Sequence, residues 1–194
     1  MLHNLFRTIA SAMAVLGGIV LTALILLTCL SVLGRGGNTF AHWETLEQGL
    51  PALSNWLIAS GIGPVKGDFE LLEAGVAFAI FAFLPWCQVT GAHASVDIFT
   101  SRLPKPANRA LTLLWDTIFA LALVVIAWRL YDGMAGKMRY GETTFILQFP
   151  VWWAYAASFA AASVAAVVGV HVALVRLREL TTGLDIIRAG EAEL

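Results

Sequence analysis

Residues 151–175 read VWWAYAASFAAASVAAVVGVHVALV, a run without a single Asp, Glu, Lys or Arg. Crossing about 30 Å of hydrocarbon takes about 20 helical residues, and this run exceeds that length. A helix is the expected form, because in lipid each helix satisfies its own backbone N–H and C=O groups. Working outward, three more stretches reach the same length. Residues 8–33 are also uncharged, 69–89 carry Glu70 and Glu73 in the first turn, and 110–131 carry Asp116 and Arg129 near opposite ends. Arg129 can bring its charge to the interface along its aliphatic stem, and Asp116 falls a turn or two inside the other end. The chain is therefore expected to be an all-α integral membrane protein with four transmembrane helices. Residues 1–176 would form a single four-helix membrane domain and 177–194 a polar cytoplasmic tail.

Composition agrees. The chain is 59% hydrophobic and 13% charged, where soluble domains carry about 25% charged residues. A net charge of −1 supplies no basic field for nucleic acid. Cys29 and Cys87 both fall inside apolar runs, far apart, and read as small buried side chains rather than as a disulfide or metal pair. Arg7 followed by an apolar run resembles a signal peptide. The run is too long for a signal core and lacks a small-x-small cleavage site, so a retained helix is expected. Arg7, then Arg102, Lys105 and Arg109, then Arg176, Arg178 and Arg188 would lie on one side; Arg35, Lys66, Lys137 and Arg139 would lie on the other. The excess places both termini in the cytoplasm.

The outer loop, 34–67, has its own pattern. Trp43, Leu46, Leu50, Leu53 and Leu57 recur at spacings of three and four, which puts them on one helical face. Pro51 fits the first turn of a second short helix. The stripe predicts amphipathic interfacial helices over about 40–60, lying in the outer membrane interface. Trp43 and Trp56, with Arg129, Trp152 and Trp153, are the expected membrane-interface residues, in contact with lipids. The inner loop, 90–109, alternates small, polar and apolar residues before Pro104 and Pro106 and predicts a short segment along the inner surface.

Within the spans, Ala157, Ala161, Ala165, Gly169 and Ala173 repeat every four residues, beside the parallel row Ala154, Ser158, Ala162 and Ala166. Small residues at this spacing let another backbone approach closely, and in lipid such packing drives association. Gly75 and Ala79 make a shorter version on the second span. Glu70, Glu73, Asp116 and Gln88 are the polar groups nearest to hydrocarbon, and all sit toward helix ends. An ion or solute route needs polar groups through the midplane, or paired broken helices, and the pattern offers neither. Hydrolase, zinc-protease, nucleotide-binding and dinucleotide-binding motifs are absent as well. No enzyme activity and no cofactor are expected. His93 and His171, both toward the cytoplasmic side, carry an alternative reading, a haem b-bearing membrane anchor of a redox enzyme.

Gly67-Asp68-Phe69-Glu70-Leu71, Phe83-Leu84-Pro85, His93-Ala94-Ser95-Val96-Asp97 and Leu103-Pro104, followed by Gly141-Glu142-Thr143-Thr144 and Pro150 to Tyr155, resemble the small permease component of tripartite ATP-independent periplasmic (TRAP) transporters. Many members carry an arginine shortly before the histidine, where this chain has Gln88 to Ala92, and the outer loop here is longer than in compact members. The resemblance implies an inner-membrane subunit of a bacterial transporter. A periplasmic solute-binding protein would deliver an organic acid or related solute, and a large permease subunit would move it, ion-coupled, against this chain as a fixed, non-catalytic scaffold. On that reading Glu70, Gly75, Ala79, His93, Asp97, Ala157, Ala161, Ala165 and Gly169 are the expected partner-interface residues.

Overall fold

The computed structural model describes residues 2–92 and 104–183. Six helices follow in order: α1 (Leu2–Ala41), α2 (Glu44–Gly49), α3 (Pro51–Ala59), α4 (Asp68–Thr90), α5 (Lys105–Tyr140) and α6 (Trp152–Thr182). The only β pairing among the described residues is an isolated bridge between Thr143 and Pro150. Helices α1, α4, α5 and α6 are long and apolar enough to cross a membrane, so the all-α membrane architecture holds. Helix α4 coincides with its expected span to within a residue at each end. The other three run on past theirs. At 1.5 Å per residue, the 40 residues of α1 make a rod of about 60 Å, about twice the hydrocarbon thickness.

Several hydroxyls inside these rods are satisfied locally. Thr22, Thr28, Thr90, Thr117 and Ser163 each donate a hydroxyl to the carbonyl four residues earlier, at 2.7–2.8 Å. A hydroxyl bonded to its own helix needs no partner across the bundle and little from the solvent. Helix ends fall where the chain cannot continue as α-helix: α5 opens just after Pro104 and closes at Gly141, whose N–H reaches back to the Lys137 and Met138 carbonyls.

The long helices pack in the sequence α1, α4, α6, α5. Half of the most apolar window of α6 is buried, against 11% of that of α1, so α6 and α4 are central and α1 and α5 flank them. Ala10 of α1, Val89 of α4, and Val168, Val172 and Val175 of α6 form one apolar cluster. Leu123 of α5, with Ala165 and Ala166 of α6, forms another, and Leu84 of α4 packs on it. The outward faces of α1 and α5 stay apolar and exposed, as at Ile19, Leu26 and Leu30 on one and Trp115, Leu121 and Trp128 on the other.

Pro51 opens α3, as the outer-loop pattern predicts. Helices α2 and α3 fold back on the end of α1, where buried Ser54 Oγ donates to the Ala41 carbonyl at 2.8 Å. Trp43, Leu50, Leu53 and Trp56 remain exposed. Below this hairpin, α1 meets the 60–67 loop at Gly34: a Cβ there would lie 2.0 Å from the Gly63 carbonyl oxygen. Only a glycine admits that approach.

Candidate interface and the polar clamps that set it

Charged and polar side chains gather at the two ends of the helix row and tie the helices to one another. At the end carrying α2 and α3, Ser31 of α1 donates to Asp68 at the start of α4, and its oxygen also accepts the Val65 N–H at 3.2 Å. Arg35 lies 3.7 Å from the same carboxylate. Two residues on, both oxygens of Glu70 are engaged by backbone amides, Ile146 at 2.6 Å and Leu147 at 2.9 Å. Such charge-assisted bonds from N–H to carboxylate are stronger than neutral ones. They hold the 141–150 loop against α4. Lys137 pairs with Glu142 across the turn out of α5, and Leu147 occupies the space that a Cβ on Gly67 would need. The loop is further closed by Thr144 N–H to the Phe149 carbonyl and by Val151 N–H to the Glu142 carbonyl. Phe145 is left 91% exposed on this braced loop.

At the opposite end, Arg176 of α6 joins two carboxylates, Asp116 of α5 at 3.1 Å and Glu179 one turn along at 2.8 Å. The Glu179 side chain is 4% exposed and the Arg176 side chain 13%. Charges this enclosed are tolerable only when each has a counter-charge in contact. Nearby, the His171 ring stacks on Phe6 of α1 at 4.0 Å between centroids, with His3 at 5.9 Å. The Gln88 amide covers Gly169, where a Cβ would stand 2.9 Å from its nitrogen.

The residues expected at a partner interface divide. His93 and Asp97 lie outside the described residues. Glu70 is committed to the 141–150 loop. Gly75 and Ala79 face α1: a Cβ on Gly75 would come 2.7 Å from Leu24 of that helix, and Ala79 is 3% exposed. Ala161 and Ala165 have no exposed surface at all, and Gly169 packs on Gln88 of α4. The close approach that the small-residue row permits is made inside this chain, by α6 with α4 and α5. Four-residue spacing encodes proximity of a second helix without naming the chain it belongs to. Ala157 differs, being exposed. Among the membrane-interface residues, Trp43, Trp56 and Trp153 are exposed, Trp152 is half-buried and packs edge-on to Trp153, and the exposed Arg129 lies over the neighbouring Trp128 ring.

The sequence reading missed the partners of these polar groups. Glu70 was legible only as an acid at a helix N-terminus, since a loop 76 residues away leaves no local trace. The Asp116–Arg176 pair had a usable signal: opposite charges at similar depth on adjacent antiparallel spans.

A family model described as tripartite ATP-independent periplasmic transporters, DctQ component, matches residues 59–180. Comparison with curated proteins and with solved structures returns no match. The matched stretch covers more than half of the chain and includes α4, α5 and nearly all of α6, with the Glu70–loop contacts and the Arg176 cluster. The chain is thus a multi-pass membrane protein that belongs to the DctQ family, the small permease component of the TRAP transporters.

Proposed function

We propose that this chain is the non-catalytic scaffold subunit of its transporter, holding the large permease subunit while that subunit carries an organic acid or related solute by ion-coupled transport. A periplasmic binding protein would supply the solute. One observation carries the reading: the hydroxyls and charges of the spans are engaged within this chain. Hydroxyls along the spans bond to their own helices, and the ion pairs between helices sit toward the two ends. Among the described residues no row of polar groups crosses the middle, and such a row is what a solute or ion path requires.

A scaffold needs rigidity and a surface to offer. Clamps at both ends supply the first. The second is the apolar outer face of α1 or α5, together with exposed Ala157 and the braced 141–150 loop, so the contact with the large subunit belongs there and on the His93–Asp97 segment. The Lys and Arg distribution supports an inner-membrane orientation with both termini in the cytoplasm, which puts α2, α3 and the 141–150 loop on the periplasmic side. The family match favours transport over the haem-anchor alternative.

The test is affinity purification of the tagged chain from its native membranes. A large multi-span permease recovered in fixed proportion is the expected result. A monodisperse chain without that companion, and solute uptake unchanged on deletion, would refute the proposal.

A further inference from the structure

Helices α4 and α5 flank α6 on the α2–α3 side without closing over it. The small side chains of Ala74, Ala77 and Ala154 leave a cleft of about 540 Å³ between the three helices, roofed by Phe145 and Phe149 of the 141–150 loop. That volume falls within the range of small-molecule sites, about 300–1,000 Å³. Toward the middle of the helices Ala77 and Leu130 line the cleft, with the hydroxyls of Tyr155 and Ser158 on α6 as the polar groups there. It is charged toward the loop, where Glu70, Glu73, Lys137 and Glu142 line it.

The charges there are unevenly matched. Glu70 is engaged by two loop amides, and Lys137 is paired with Glu142. Glu73, one turn further along α4 and exposed, has no hydrogen bond or ion pair among the described residues. A carboxylate at the edge of hydrocarbon calls for a counter-charge. We propose that the cleft binds a zwitterionic phospholipid with a primary ammonium head group. Its ammonium sits on Glu73, its phosphate lies toward Lys137, and an acyl chain runs along Ala77 and Leu130. Charge sign, cleft size and the change from charged to uncharged along the cleft all match such an amphiphile. An anionic lipid would set its phosphate toward the same Lys137 but offer Glu73 no cation.

The full-length chain, purified in detergent and stripped of lipid, is titrated with phosphatidylethanolamine or phosphatidylglycerol of identical acyl chains and examined by native mass spectrometry. A charge-assisted hydrogen bond corresponds to a preference of about tenfold for the ethanolamine lipid. Glu73→Gln should abolish that preference without changing helix content, since Glu73 holds no hydrogen bond or ion pair within the described residues. Ala77→Leu, which fills the cleft, should lower retention of both lipids. Equal retention of the two lipids by the unaltered chain, or a preference that survives Glu73→Gln, would overturn the proposal. If Glu73→Gln spares lipid retention but lowers recovery of the large subunit, the counter-charge is a basic side chain of the partner, and the lipid assignment fails.

Discussion

Replacing Ala165 with leucine puts a branched butyl group where a methyl stands, at a position with no exposed surface between Leu123 of α5 and Leu84 of α4. Interiors packed this closely accept added volume only by straining rotamers or shifting backbones, at a cost of about 1–3 kcal/mol. Each 1.4 kcal/mol is tenfold, so the folded population of the isolated chain should fall by about 5- to 150-fold relative to the unfolded one. The assay is denaturation of the purified chain in mixed micelles, followed by circular dichroism and by Trp fluorescence. Ala157→Leu, four residues back on the same row but exposed, serves as the control and should leave that transition in place. If Ala165→Leu leaves the isolated chain as stable as before and lowers only the yield of the complex, then the small-residue row meets another subunit and the intrachain packing argued above is wrong.

Arg176→Met removes the guanidinium from Glu179, 2.8 Å away, and from Asp116; breaking a buried pair in this way should cost about 3–5 kcal/mol, read in the same denaturation. Gly34→Ala forces a Cβ against the Gly63 carbonyl and should loosen the link from α3 to α4, seen as faster proteolysis within 60–67 and unchanged cleavage elsewhere. Glu70→Ala deletes the acceptor of both loop amides, so amide exchange at Ile146 and Leu147 should accelerate by at least tenfold; unchanged protection would mean that the loop holds itself.

The spans were legible because lipid imposes one rule on every residue of a helix, and an uncharged run such as 151–175 follows from it directly. Pro51 was legible for a local reason: its ring fixes φ and lacks an N–H, so it suits a first helical turn. Helix lengths were less so. Arg35 and Asp132 end an apolar run without ending a helix, since a helix leaving the membrane can continue in water with polar side chains outward. Hidden altogether was the order of packing. The row from Ala157 to Gly169 announces a close neighbour, but whether that neighbour is α4 or a second protein depends on how the chain returns through the membrane. Glu70 makes the same point, because a carboxylate read as favouring a helix dipole turns out to anchor a loop 76 residues downstream.

The central claim is that this subunit supports transport without conducting it. Liposomes containing the chain alone, the large subunit alone, or both, with the purified binding protein, labelled solute and an ion gradient, test it most directly. Accumulation is expected only where the large subunit is present, at its fullest with both, and none above protein-free vesicles with this chain alone. Solute gathered by vesicles holding only this chain would contradict the account.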